Sequence, residues 1–183
     1  MDELREKLEA RLARVSAILR AANIPHAVIG GNAVAAWISH ADPSLVRQTR
    51  DIDILLARAD LEPARAAMEA AGFHYRHGVG LGLFLETPDG RTGDGVQIWI
   101  AREKVSPEAV TETPPVLIDP IFGELNVISL EALILMKLTA HRGIDCVHLR
   151  DMISAGLIDE TWPARFPNIL AERLQALIDD PNG

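Results

Sequence analysis

Leu4, Leu8, Leu12, Val15, Ile18, Leu19 and Ala22 recur at intervals of three and four residues, the apolar stripe of an amphipathic helix, and Asn23-Ile24-Pro25 stops it. His26 to Ile29 reads as a short buried strand, and Asn32 to Ser39 as a helix that begins at Gly30-Gly31. Ala41 to Gln48 is a loop, and Thr49 to Ala57 a strand in which Ile52 and Ile54 alternate with polar neighbours. Asp60 is placed to cap a helix running to Ala71, with Gly72 ending it. Residues 73–76 and 81–87 read as extended, joined by the glycine-rich His77 to Gly82. Pro88 to Gly95 is a turn, which pairs Leu83–Thr87 with Val96–Ala101 as antiparallel strands. Pro107 to Pro120 is a connection with a short strand expected at Val116 to Ile118. Three helices are expected after it: Ser129–His141, strongly apolar; Asp145–Ala155, set off at Gly143; and Pro167–Asp179, amphipathic. No internal repeat, low-complexity tract or clear linker interrupts the chain.

Composition narrows the class. A chain of 183 residues with 48% apolar side chains can bury a real core. No apolar run is long enough to cross a bilayer, because Arg50, Glu131 and Lys137 break the richest stretches. The opening Met1 to Lys7 is charged and lacks an apolar signal core, so a cytoplasmic protein is the expectation. One cysteine, Cys146, excludes an intrachain disulfide and a cysteine-rich zinc site. The net charge of −8 argues against a broad surface for duplex nucleic acid. A local patch of Arg47, Arg50, Lys137 and Arg142 can still oppose the global sign and receive a small anion.

The chemistry concentrates in two places. Asp51 and Asp53 are spaced so that, on a strand, both side chains leave the same face while Ile52 and Ile54 enter the core. Neighbouring acids repel unless a cation lies between them, and carboxylate oxygens suit Mg²⁺, completed by water and substrate phosphates. The bland rival is a pair of solvated edge-strand acids. Upstream, Gly30-Gly31 leads into a helix whose first amides form an electropositive cup for phosphate. A tight turn without a ligand is the rival there.

Gly-Gly before a helix, followed by hydrophobic-Asp-hydrophobic-Asp-hydrophobic, resembles the nucleotidyltransferase superfamily that includes DNA polymerase beta, the aminoglycoside adenylyltransferases and the abortive-infection toxin nucleotidyltransferases. Downstream, Val127 to Asp145, with Lys137, Arg142 and Asp145, looks like the helical segment of the toxin-like branch. The likeness covers residues 24–56 and 126–152, and the loop 41–48 makes the glycine-to-aspartate interval longer than the minimal pattern.

This resemblance implies an α/β (α+β) nucleotidyltransferase-like fold. A mixed sheet flanked by helices would occupy residues 1–125 of a single domain 1–183, with a helical C-terminal part over 126–183. It implies transfer of a nucleoside monophosphate from a nucleoside triphosphate to a hydroxyl acceptor, whether RNA, protein or a small molecule. Asp51 and Asp53 would hold Mg²⁺ (or Mn²⁺), Gly30, Gly31 and Asn32 would position the phosphates, and Arg50, Lys137 or Arg142 would neutralise charge on them. Lys137 has the alternative of snorkelling from an apolar helix, and Asp145 reads better as a cap for the next helix.

One feature departs from the pattern. Active members commonly bring a third acid on a neighbouring strand, yet in Val96-Gln-Ile-Trp-Ile100 the outward positions are Gln97 and Trp99. Glu86 or Glu103 would have to substitute; otherwise the general base is missing. The alternative function is therefore a degenerate member that binds a nucleotide or a protein partner, with a toxin-antitoxin pair as a further analogy. His148 and Asp151 are spaced for local pairing. Trp37 and Trp99 read as packing residues, although Trp99 is placed to stack on a base.

Overall fold

The computed structural model describes residues 2–47, 49–77 and 82–180, with side chains from residue 6. Helix α1 (Asp2–Ala21) turns Leu12, Val15 and Leu19 inward, with Leu8 and Ile18 packed at the margin. Leu4 lies outside the described side chains. Ala22 is exposed beyond the helix, where Asn23 takes a left-handed conformation. Strand β1 (His26–Ile29) is buried throughout, and α2 (Gly30–Ala41) starts directly from it. Strand β2 spans Ile52–Leu56, α3 Leu61–Ala70, β3 His74–Arg76, β4 Leu83–Leu85 and β5 Val96–Ile100. Helices α4 (Leu130–Ala140), α5 (Gly143–Ser154) and α6 (Asn168–Asp179) follow.

The strands form one mixed sheet in the order β1-β2-β5-β4-β3, with β2 and β5 parallel and the other neighbours antiparallel. The expected pairing of the 83–87 and 96–101 segments is present as Leu83 opposite Gln97 and Phe84 opposite Val96. Alternation along the central strands separates two cores. Ile52, Ile54 and Leu56 of β2 join Val96, Ile98 and Ile100 of β5 under α1 and α3. Ala27, Ile29 and Leu55 face the other way, onto α2, α4, α5 and α6. Leu133, Leu138, Leu149, Leu170 and Leu174 are fully buried there, and each such side chain contributes about 1.5–3 kcal/mol of apolar burial.

Several expected boundaries move. Strand β2 begins at Ile52 rather than Thr49, because its first ladder bond is from the Ile52 amide to the Gly95 carbonyl. Asp60 gives no side-chain cap; a short 3₁₀ turn over 58–60 leads into α3 instead. The strand expected at 116–118 reduces to a single bridge, Ile118 to Ile128, in a stretch where Pro114, Pro115 and Pro120 have no amide to donate. Helix α5 starts two residues before Asp145, since Asp145 caps it from inside by accepting the Arg142 amide at 3.2 Å. Most of the glycine-rich link from His77 to Gly82, and Gln48 of the loop before β2, lie outside the described residues. Among the described residues no helix is long and apolar enough to cross a membrane.

Candidate active site

The antiparallel register of β1 and β2 sets Ile29 opposite Asp53, so the chain leaves β1 at Gly30 beside that aspartate. Gly30 has φ +66°, and a Cβ there would overlap Asp53 Oδ2 and stand 2.9 Å from Cγ. At Gly31 a Cβ would meet Thr49 Oγ1 at 2.6 Å. Both glycines therefore admit side chains of the carboxylate segment, a close approach that any other residue would block. Asn32, buried in the first turn of α2, donates its side-chain amide to the Asp51 carbonyl at 2.6 Å. Its polar head pins the backbone of Asp51 and does not line the cavity.

That cavity, about 610 Å³, lies on the α2/α4 side of the sheet, within the size range of small-molecule sites. Gly30, Gly31, Thr49, Asp51 and Asp53 form one wall, Gln97 and Trp99 the floor, and Lys137, Arg142, Asp145 and His148 the opposite wall. The segment 105–113 closes a further side, bringing in Glu108 and Glu112. Its neck is pinned where the Thr113 amide donates to Glu103 and the Arg102 amide to Thr113. Arg50, exposed, stands outside the lining, although its charge is felt at Asp51.

Burial raises the Asp51 pKa, the nearby Asp94 adds to the rise, and Arg50 opposes it. Burial also raises Asp53; the hydrogen bond from Trp99 lowers it, Asp51 raises it, and Lys137 and Arg142 lower it. Trp99 Nε1 donates to Asp53 Oδ1 at 3.0 Å. The indole is thus a ligand of the carboxylate in addition to a packing group.

Lys137 does not snorkel to water. It is buried, and Nζ donates to Asp145 Oδ1 at 2.9 Å. Arg142 Nε reaches Asp145 Oδ2 at 2.7 Å while most of its side chain stays exposed. Burial pushes the Asp145 carboxyl up, but hydrogen bonds from Arg142 and Lys137 outweigh it and hold the pKa below the usual range. Two cations against one carboxylate leave one positive charge facing the cavity.

The acids named as substitutes for a third carboxylate are engaged elsewhere. Glu86 pairs with Arg11 at 2.9 Å and with Arg14, and Glu103 pairs with Arg58; neither lines the cavity. Asp151 pairs with Arg47, not with His148. Among the described residues no group of three or more acid, histidine or cysteine side chains is arranged to hold a metal ion. Nothing in the local spacing of Asp94, Glu108, Glu112 or Thr49 distinguishes them in the sequence from solvated polar residues.

The family profile of uncharacterised nucleotidyltransferases matches residues 3–111, which contain both the glycine corner and the two aspartates. The chain belongs to this family. No curated protein matches it. Two solved structures of ANT(2'')-Ia are similar over nearly the whole chain. One is the solution structure of this antibiotic-resistance factor, with TM-score 0.56 and 18% identity, covering 98% of this chain and 93% of that one. The other is its crystal structure in complex with adenylyl-2''-tobramycin, with TM-score 0.56 and 18% identity, covering 88% of this chain and 93% of that one. At this identity the likeness is one of fold, and it places the mixed sheet and flanking helices among nucleotidyltransferase structures.

Proposed function

We propose that this nucleotidyltransferase moves a nucleoside monophosphate from a nucleoside triphosphate to a hydroxyl acceptor, with Asp51 and Asp53 as the metal-holding and catalytic pair. The observation that carries the reading is the convergence of Asp51, Asp53, Gly30, Gly31, Lys137 and Arg142 on one cavity from three separate segments. The two acids fit Mg²⁺ or Mn²⁺. Both are hard oxygen donors, and both have raised pKa values because their charged forms are desolvated without a full set of partners. Such a cation, when bound, would stabilise charge on the phosphates.

The chain's own residues account for the remaining roles. The first amides of α2 face anionic oxygen at a helix start. Lys137 and Arg142, held by Asp145, present a fixed positive charge to the leaving pyrophosphate without reorganising during the reaction. Trp99 sets the orientation of Asp53 through one oxygen and leaves Oδ2 for other contacts. As the acceptor oxygen bonds to the α-phosphorus, the bond from that phosphorus to the bridging β-phosphate oxygen breaks, and the hydroxyl proton leaves with the departing pyrophosphate.

Calorimetric titration with ATP, CTP, GTP and UTP in Mg²⁺ tests nucleotide binding, and absence of binding by all four to the folded protein ends the proposal. Label transferred from a nucleotide onto RNA, protein or a small molecule, and lost in Asp53→Ala, tests transfer. A second reading, nucleotide or partner binding without transfer, is favoured by Gln97 and Trp99 standing where an acid is expected; it predicts binding with no label transfer. Membership of the abortive-infection toxin-like branch, with a protein partner in a toxin-antitoxin pair, is supported by the 127–145 segment alone. Toxicity on expression that survives Asp51→Ala counts against nucleotidyl transfer as its cause.

A further inference from the structure

Helix α5 carries Asp145 and His148 three residues apart, a spacing that sets both side chains on one helix face, and both line the cavity. Asp145 is satisfied there by Lys137 and Arg142. His148 is not: among the described residues its Nδ1 is buried with no hydrogen-bond partner, and the acid one turn further along, Asp151, is taken by Arg47. A buried N–H without an acceptor is rarer than a buried bare lone pair, so the neutral ring carries its hydrogen on Nε2. Nε2 is not among the buried unpartnered atoms and the residue lines the cavity, so the cavity is where this nitrogen can meet a ligand. We propose that His148 is a nucleotide-binding residue, donating Nε2–H to a phosphate oxygen beside Lys137.

This assignment rests on the nucleotide reading of the cavity. A ring with its hydrogen on Nε2 is a donor there and not an acceptor, which suits an oxygen that only accepts and not the hydrogen of a hydroxyl. The ring stays neutral in doing so. Burial lowers its pKa to about 4; Lys137 of α4 and Arg47 of the loop before β2 act in the same direction, against Asp145 and Asp151 on its own helix. A second proton would have to sit on Nδ1, which has no acceptor among the described residues. His148 therefore adds a directional contact to the Lys137–Asp145–Arg142 cluster without adding charge, unlike a histidine that takes up a proton when an anion arrives.

The test is nitrogen NMR of the full chain with labelled histidine, in separate additions of Mg²⁺-pyrophosphate, Mg²⁺-ATP and adenosine. The expected result is a neutral His148 ring protonated on Nε2 from about pH 6 to 8, whose Nε2–H signal shifts with pyrophosphate and ATP and not with adenosine. His148→Phe keeps a ring and removes the donor, so ATP affinity falls about tenfold or more, the effect of a hydrogen bond to a charged group. His148→Gln places an amide donor near the same point and retains affinity within about threefold. The inference is overturned by ATP binding that leaves the His148 signal unmoved, by a shift with adenosine alone, by an Nδ1-protonated ring, or by His148→Phe binding ATP as the wild type does. Because the NMR arm uses the unaltered protein, failure of a variant to fold leaves the test intact. If ATP does not bind at all, the nucleotide reading fails and takes this assignment with it; if ATP binds and His148 is silent, only this assignment fails.

Discussion

Replacing Gly30 by alanine perturbs two things at once, and the structure allows them to be separated. The backbone there sits at φ +66°, a conformation that costs an L-residue about 1–2 kcal/mol. The new methyl also overlaps Asp53 Oδ2, with Cγ at 2.9 Å and Cβ at 3.0 Å. The carboxylate must turn away, losing the Trp99 hydrogen bond at about 1.5–3 kcal/mol for a charged acceptor. Gly30→Ala is thus expected to destabilise the protein by about 2.5–5 kcal/mol in sum. In an Asp53→Ala background the overlap with the carboxylate is gone, and only the backbone strain and the contact with Cβ remain. Urea denaturation of the wild type, both single variants and the double variant closes the cycle. A coupling of about 1.5 kcal/mol or more is expected from the lost hydrogen bond. Additivity within about 0.5 kcal/mol would show that Gly30 is needed for its backbone conformation only and would refute a role for the glycine in making room for the Asp53 carboxylate.

Further expectations follow from the buried charges. Asp145→Asn removes the carboxylate that bonds the buried Lys137 and should cost about 3–5 kcal/mol by thermal or chemical unfolding. Since the folded pKa of Asp145 is lowered, its contribution is present above the unfolded value of about 4 and is lost as pH falls through the lowered one. Acid titration of the wild type against the variant should therefore converge at low pH. Asp53 has the opposite sign: its folded pKa is raised by burial, so in metal-free solution at neutral pH Asp53→Asn should be more stable than the wild type. That gain should vanish below the unfolded value. Mg²⁺ should raise the melting temperature of the wild type and not of Asp53→Asn; at a hundred times the Kd the gain is about 2.7 kcal/mol. Trp99→Phe removes the hydrogen bond that lowers the Asp53 pKa, so its Mg²⁺ affinity, followed calorimetrically from pH 5 to pH 8, should decline toward acid earlier than that of the wild type.

The chain order of buried strand, diglycine corner, helix and carboxylate strand was legible from local periodicity, because Ile29, Ile52 and Ile54 had to be buried and that requirement alternates along the backbone. The same logic set Gln97 and Trp99 on the face away from Val96, Ile98 and Ile100. It failed where proline removes donors, at 116–118, and at Asp60, where a 3₁₀ turn takes up the helix entry. What no spacing could reveal was who meets whom. Trp99 bonds Asp53 across a parallel register, Lys137 and Arg142 share Asp145, and Glu86 and Glu103 are held by arginines from α1 and from the turn before α3.

Taken alone, the sequence determined the local elements and the pairing of a glycine turn with two acids, since both follow from neighbours a few residues apart. The tertiary structure decided that these meet the cations held by buried Asp145 more than eighty residues downstream, that Asn32 serves the backbone of Asp51, and that His148 lines the same cavity with its Nδ1 unpartnered among the described residues. Charge and hydrogen bonding depend on distance in space, which the chain acquires only when β1, β2 and β5 align and α4 and α5 close over them.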